Sequence, residues 1–271
     1  MTEESLKQMA HDIRCDVLRM YYRAGWGHIA SALSCVDLLT AVYFGDDFFH
    51  AGKDHVVLSK GHATAAQYAL LARLGMIERS ELITFYQPHS RLLGLASSLV
   101  PGIDVPTGSL GQGLCFATGT SLAAKIDNSG AFTYVVLGDG EMQEGSVWEA
   151  AMFAGNQRLG KLIAIADVNG LQASGKVNDI APLSPLCEKW RAFGWRTVEI
   201  DGHNVQAVVR AIQEAREDNG QPTFLLAHTV KGKGLSFVEN REDWHSHRPT
   251  DEEWKMACDE MGMTLEELKT L

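Results

Sequence analysis

The chain has 271 residues and a formal net charge of −10, and 45% of its residues are hydrophobic. This length suits one large α/β domain, and an acidic balance without a basic tract argues against a nucleic-acid partner. No apolar run approaches 18 residues and no signal-peptide pattern is present, so the sequence predicts neither a membrane span nor export. The five cysteines form no CxxC pair and are expected to be reduced thiols in a cytoplasmic protein.

Hydrophobic periodicity divides the chain into helices and short apolar strands. In chain order, the predicted helices are at 4–23 (closed by Gly25), from Ser34 as N-cap, at 63–74, from 107–113 to 127, and at 144–158, 185–193 and 205–216. One or two acidic helices are expected within 251–271. The predicted strands are at 54–58, 134–137, 162–168, 195–200 and 222–228. This alternation is typical of an α/β fold. We expect a three-layer structure, with a parallel sheet of about five or six strands and helices on both faces, forming one domain over residues 1–271.

The most informative stretch runs from residue 133 to residue 174 and reads as strand, crossover helix and strand. Asp139 and Asn169 each follow directly after one of these strands. The carboxyl ends of parallel strands are where open α/β sheets bind ligands. A carboxylate, an amide oxygen and a nearby backbone carbonyl form the all-oxygen set that Mg²⁺ prefers, and the surrounding glycines allow a phosphate group to approach the backbone. Either turn alone is common, but together they predict a Mg²⁺–diphosphate site.

The segments GDGEMQEGSVWEAAMFA and DVNGLQASG resemble the thiamine diphosphate motif of transketolases, and TGSLGQG and the spaced histidines match the same family. The resemblance extends from about Arg14 to His245. It implies that thiamine diphosphate and Mg²⁺ are the cofactors. The residues that it implicates in holding them are Asp139, Asn169 and the carbonyl of Leu171 for Mg²⁺, Gly140 against the diphosphate, and Gly108 and Leu110 beside the aminopyrimidine ring and the bridge to the diphosphate.

Three histidines complete the site that the resemblance implies. His28 lies in a glycine-rich loop, His62 follows Ser-Lys-Gly at the start of a helix, and His245 follows a tryptophan. In the family these positions contact the substrate, and those of His62 and His245 also contact the diphosphate, so they are expected to hold hydroxyls and shuttle protons. His203 is predicted to be only a capping or loop residue. Lys231, in a basic glycine loop, either faces the diphosphate or lies in solvent.

One position departs from the family pattern. Transketolases usually carry a histidine, within a Gly-His-Pro segment, that touches the donor sugar, and Leu95 stands there in this chain. Leucine cannot hydrogen-bond a hydroxyl group. The departure predicts a donor other than the ordinary sugar phosphate, unless the loop is shifted and His89 fills the position.

The chain corresponds only to the first third to half of a single-chain transketolase. We therefore expect the N-terminal subunit of a split transketolase, which transfers a two-carbon ketol unit from a ketose donor to an aldehyde acceptor. A separate C-terminal subunit with the pyrimidine-binding domain would complete an α2β2 heterotetramer, and Glu144 would approach its activating glutamate. The alternatives are the α subunit of a 2-oxo acid dehydrogenase E1 component, a transketolase-like enzyme with a non-standard donor, and a non-catalytic subunit that kept the fold.

Overall fold

The computed structural model describes residues 1–217 and 220–270. Its strands are β1 (His55–Leu58), β2 (Thr133–Gly138), β3 (Leu162–Val168), β4 (Leu171–Gln172), β5 (Gly175–Lys176), β6 (Arg196–Asp201) and β7 (Thr223–His228). Its α-helices are α1 (Glu3–Ala24), α2 (Ile29–Ser34), α3 (Val36–Phe44), α4 (Thr64–Arg73), α5 (Gln112–Ile126), α6 (Gly145–Asn156), α7 (Val177–Ile180), α8 (Leu186–Ala192), α9 (Val205–Arg216), α10 (Asp251–Met261) and α11 (Leu265–Lys269).

Five strands form one parallel sheet in the order β1-β2-β3-β7-β6. The central strands are buried on both sides, because their sequences are almost wholly apolar. Side chains alternate between the two faces. One face packs with α1, α3, α4 and α9, and the other packs with α5, α6 and α8. The predicted three-layer α/β architecture is confirmed.

The carboxyl edge of the sheet gathers four loops. Residues 59–62 follow β1, Asp139 follows β2, Asn169 follows β3 and residues 229–234 follow β7. A fifth loop contains Gly27 and a sixth contains His247, and these two loops bond to each other through reciprocal backbone hydrogen bonds of 3.0 Å between those residues. Segments from the two ends of the chain therefore meet at this edge.

Two local features differ from the sequence-based expectation. Ser34 is the last residue of α2, and Cys35 rather than Ser34 is the N-cap of α3, because the Ser34 hydroxyl donates to Asp167 at 2.6 Å. The small β4–β5 hairpin and α7 were not predicted, since each is only two to four residues long. Within the part of the chain that the structure describes, no helix is long and apolar enough to cross a membrane.

Candidate functional site

A cleft of about 420 Å³ opens at the carboxyl edge of the sheet, and all ten residues that the sequence singled out line it. They are His28, His62, Gly108, Leu110, Asp139, Gly140, Glu144, Asn169, Leu171 and His245. A larger cavity of about 620 Å³ adjoins it and shares Asp139 and Asn169, but none of the three histidines lines that cavity. The three histidines and the Asp139–Asn169 pair therefore meet in the smaller cleft.

Asp139 and Asn169 are held by the backbone of their own turns. The carboxylate of Asp139 is buried and accepts hydrogen bonds from the backbone N–H of Gly140 at 2.8 Å and of Gly170 at 2.5 Å. Asn169 Oδ1 accepts from the N–H of Leu171 at 3.1 Å. Burial and the nearby Asp167 raise the pKa of Asp139 to about 6. A raised pKa of this kind marks a carboxylate whose charge is incompletely neutralised by its surroundings.

The three histidines form a triangle across the cleft. Their ring centroids are 5.2 Å apart for His28 and His62, 5.4 Å for His28 and His245, and 5.5 Å for His62 and His245. Burial and the nearby lysines lower the pKa of His28 and lower that of His62 well below its usual value. Burial and Lys231 lower the pKa of His245 to about 3. All three are therefore neutral imidazoles near pH 7, each able to donate one hydrogen bond and accept another.

A buried ion pair lies beneath these groups, and sequence analysis missed it. Lys60 and Asp167 bond to each other and are almost fully buried. Asp167 also accepts hydrogen bonds from the hydroxyls of Ser34 and Thr229, and Lys60 donates to the Ser31 carbonyl at 3.0 Å. The available signal was an aspartate inside the otherwise apolar strand β3, because such a buried charge requires a partner.

Glu141 is a buried carboxylate at the cleft that the sequence did not single out. Its buried carboxylate accepts from the Ser59 hydroxyl, from the Gly111 N–H at 2.8 Å and from the Gly138 N–H at 3.1 Å. It thereby ties together the loops after β1 and β2 and the start of α5. Glu144, for which the resemblance implies an approach to the partner subunit, has an exposed side chain at the N-cap of α6 and lines the cleft.

Two further expectations are corrected or resolved by the structure. His203 is more than a capping residue, because its ring is bonded both to Asp37 at 2.6 Å and to the backbone N–H of Val230 at 2.7 Å. The neighbouring Asn204 caps α9, since its side chain accepts from the N–H of Ala207. Lys231 does not lie in solvent. Its side chain is buried and its ammonium group is 2.9 Å from His245 Nδ1.

Leu95 lines the cleft, as its alignment with the donor-sugar position predicts. A Cβ atom placed on Gly108 would lie 2.7 Å from Leu95 Cδ1, so the leucine side chain rests directly on that glycine. The backbone of the loop is fixed by a 3.1 Å hydrogen bond from the Tyr68 hydroxyl to the Leu95 carbonyl. His89 is exposed and is not among the residues that line the cleft, so it does not replace the missing histidine.

The residues present fit a Mg²⁺–diphosphate cofactor. Two buried polar atoms of residues that line the cleft, His28 Nδ1 and Gln172 Oε1, have no hydrogen-bond partner among the described residues. No group of three or more His, Cys, Asp or Glu in residues 1–217 and 220–270 is arranged to hold a metal ion. A cation here would therefore depend on amide, carbonyl and phosphate oxygens in addition to one carboxylate, which is the environment that Mg²⁺ accepts.

Comparison with known proteins identifies relatives over nearly the whole chain. The family model described as transketolase, thiamine diphosphate binding domain, matches residues 5–269. A 6-deoxy-6-sulfo-D-fructose transketolase subunit from Clostridium sp. (strain MSTE9) is 42% identical, covering 94% of this chain and 96% of the relative. An apulose-4-phosphate transketolase subunit from Phocaeicola vulgatus is 39% identical, covering 99% and 98% of the two chains.

Solved structures with a similar fold include the transketolase of Campylobacter jejuni. It superposes with a TM-score of 0.90 at 29% identity and covers 97% of this chain. This chain covers only 43% of that structure. It therefore spans less than half of a single-chain transketolase but nearly all of the related subunits.

Proposed function

We propose that this chain, which belongs to the transketolase family and matches that family's thiamine diphosphate-binding domain, is the N-terminal subunit of a split, two-subunit enzyme. The enzyme of which it is part is a transketolase-type transferase. The proposed reaction moves a two-carbon ketol unit from a ketose donor to an aldehyde acceptor. The observation that carries the proposal is the convergence of all ten residues in one cleft. Residues 1–271 are proposed to form one domain of this enzyme.

In the proposed site, Asp139, Asn169 and the carbonyl of Leu171 hold Mg²⁺, and the glycine turn after β2 lies against the diphosphate. Thiamine diphosphate supplies the electron sink for breaking and forming a C–C bond next to a carbonyl group. Gly108 and Leu110 support the rest of the cofactor. The Asp139 carboxylate already has the backbone hydrogen bonds that orient it for a cation.

His28, His62 and His245 are proposed to hold substrate oxygens and to move protons between them. Neutral imidazoles suit this work, because one nitrogen donates while the other accepts. Their pKa values are lowered, so each remains neutral through the pH range in which the enzyme would act. His62 and His245 are also proposed to contact the diphosphate.

The donor is proposed to be a modified ketose rather than an ordinary ketose phosphate. Leu95 offers no hydrogen bond where the family usually has histidine, so a hydroxyl group facing it would lose its partner. Two relatives bear the names of transketolase subunits for 6-deoxy-6-sulfo-D-fructose and apulose 4-phosphate, both unusual ketoses. These names support a non-standard donor without identifying it.

A partner subunit is proposed to dock on the outer face of α5 and α6. Phe116 on α5 is 50% exposed, and Met152 and Phe153 on α6 are 48% and 43% exposed. These exposed apolar residues lie on two helices that pack against each other, and a cluster of such residues marks an interaction site. Glu144, at the N-cap of α6, connects this face to the cleft. The occupant is proposed to be the C-terminal subunit with the pyrimidine-binding domain, because the chain spans 43% of a single-chain transketolase and its relatives are named as subunits. The assembly is proposed to be an α2β2 heterotetramer.

The protein is also proposed to be cytoplasmic, which its five free cysteines support. Glu144 is proposed to approach the activating glutamate of the partner subunit. The α subunit of a 2-oxo acid dehydrogenase E1 component is less well supported, because the relatives reported above are transketolase subunits. A non-catalytic role is also less well supported, because Asp139, Asn169 and the three histidines are all present in one cleft.

The test is cofactor binding to this chain assembled with its partner, measured by calorimetric titration of thiamine diphosphate with and without Mg²⁺. Replacing Asp139 with Ala should abolish Mg²⁺-dependent binding. Asp259→Ala, an exposed aspartate on α10, is the matched control and should bind normally. Ketol transfer should require both subunits. Unchanged cofactor affinity in D139A, or normal turnover by the single chain, would contradict the proposal.

A further inference from the structure

The buried side chain of Lys231 ends beside a histidine rather than beside a carboxylate. Its Nζ lies 2.9 Å from His245 Nδ1, and only 1% of the residue is exposed. An ammonium group has donors and no lone pair, so the lysine must donate and Nδ1 must accept. In a neutral imidazole the hydrogen then resides on Nε2. His245 lines the cleft, so Nε2 is the nitrogen left to face it.

The loop that carries Lys231 is anchored on both sides. The N–H of Val230 donates to His203 Nε2 at 2.7 Å, and His203 Nδ1 donates to Asp37 at 2.6 Å. Arg14 binds the same carboxylate through two hydrogen bonds of 3.1 Å and 2.6 Å. Three side chains from distant parts of the chain thus fix the backbone immediately before Lys231.

The same loop is held from its other end. Arg14 Nε donates to the Lys233 carbonyl at 3.2 Å, and the Gly232 N–H donates to the Ala30 carbonyl at 3.0 Å. Gly232 has a φ of 81°, and a Cβ atom there would lie 2.6 Å from a methyl group of Val238. The loop therefore has little room to move, and the ammonium group of Lys231 is kept at a defined point behind His245.

The ammonium group of Lys231 has no carboxylate in direct contact. Within the described residues, no Asp or Glu oxygen forms an ion pair with its Nζ. Burial and the nearby Lys60 lower the pKa of Lys231 to about 8, so it is still mostly charged at pH 7. A positive charge next to Nδ1 also disfavours a second proton on the imidazole ring of His245.

We propose that Lys231 is a positioning residue that locks His245 as a neutral imidazole with Nε2–H directed into the cleft, where it always donates. The network of Arg14, Asp37 and His203 sets the position of the Lys231 loop. This inference rests on the proposed function for the role of His245, but the tautomer itself is a property of the chain without cofactor. A fixed donor at this point suits an anionic phosphate oxygen or a developing negative charge on the substrate.

The test is nitrogen-15 NMR of the full chain labelled at histidine, without cofactor. The resonances of His245 are assigned by their disappearance in His245→Gln. In the native chain the hydrogen should be on Nε2. In Lys231→Met the Nδ1–H form should become populated, because the donor is gone. Lys233→Met removes a partly exposed lysine of the same loop, which pairs with Glu239, and should leave the His245 signals unchanged.

Binding of thiamine diphosphate supplies the second measurement. K231M should weaken it about 10–100-fold, by analogy with the loss of a group that orients a metal-binding histidine. Lys231→Arg, which keeps a charged donor, should restore the native tautomer. A hydrogen on Nδ1 in the native chain, or an unchanged tautomer in K231M, would overturn the proposal. A changed tautomer with unchanged cofactor affinity would support the positioning by Lys231 and contradict the cofactor role of His245.

Discussion

The ammonium group of Lys60 and the carboxylate of Asp167 form an ion pair with almost no solvent contact, directly beneath the loops that carry the site residues. Burial opposes both charges, but each offsets the cost for the other. The net effect is to raise the pKa of Lys60 and to lower that of Asp167. The pair joins the end of β1 to the end of β3, so it determines how the two loops approach each other.

Lys60→Met should destabilise the chain by about 3–5 kcal/mol, because it leaves the Asp167 charge buried without a partner. Chemical denaturation of the full chain would measure this change. The double variant Lys60→Met with Asp167→Asn should recover part of the loss, since it removes the unpaired charge. A change below about 1 kcal/mol in the single variant would show that water reaches Asp167 and that the pair is not structurally important.

A second prediction concerns pH and the pair of Asp37 and Arg14. Burial raises the pKa of Asp37, but Arg14 and the hydrogen bond from His203 outweigh it, and the net shift is downward. A carboxyl group with a lowered folded-state pKa stabilises the fold above its unfolded pKa, near 4, and loses that contribution as the pH falls through the folded value.

Asp37→Asn should therefore cost about 3–5 kcal/mol of unfolding free energy at pH 7, and the gap between variant and native chain should shrink below about pH 4. Unfolding curves at several pH values would measure it. Asp243→Asn, at an exposed pair with Arg241, is the control and should cost less than about 1 kcal/mol at any pH. A gap that is independent of pH would mean that the charge of Asp37 is unimportant.

A third prediction concerns the outer face of α5 and α6, on which the partner subunit is proposed to dock. Phe116→Glu should weaken assembly with the C-terminal subunit, because it places a charge in an apolar contact that must be desolvated. The same variant should not unfold the isolated chain, since half of Phe116 is already exposed. Analytical ultracentrifugation of mixed subunits would measure the assembly. Met256→Glu, on α10, is 43% exposed and serves as the control for a surface charge elsewhere. Equal assembly of F116E and native chains would contradict the assigned face.

Sequence reasoning located Asp139 and Asn169 because their signals are local. Each follows an apolar run that ends in a glycine turn, and such turns determine their own backbone geometry. The histidines could be found only through resemblance, since His28 and His245 lie near opposite ends of the chain and nothing local indicates that their rings meet. The bounds of helices and strands were also largely predictable, with 205–216 and 162–168 matching the observed helix α9 and strand β3.

Lys60 and Asp167 were missed, His203 was misread and Lys231 was left between two alternatives, all for a single reason. Their roles depend on partners 14 to 166 residues away, and no periodicity or turn signal encodes such distances. Burial makes these pairings necessary, because a charge that is removed from water requires a partner. Burial of an individual polar residue can be read only after the sheet and its loops are assembled.

The last prediction concerns the donor and Leu95. The position lies in the cleft, and 47% of the residue is exposed, so replacing it leaves the core intact. The backbone there is held by the Tyr68 hydroxyl and not by the leucine side chain. Leu95→His should therefore fold normally while placing a hydrogen-bonding group where the family usually has one.

The native enzyme should use ordinary xylulose 5-phosphate poorly, because a hydroxyl facing Leu95 loses a hydrogen bond worth about 1–3 kcal/mol. L95H should raise kcat/KM for that donor by roughly 5- to 150-fold relative to a modified ketose such as 6-deoxy-6-sulfofructose. Leu99→His, on the same loop but outside the cleft and 67% exposed, should change neither value. Steady-state kinetics of the assembled subunits would measure the ratio. If the native enzyme prefers xylulose 5-phosphate, or if L95H leaves the ratio unchanged, Leu95 does not select the donor.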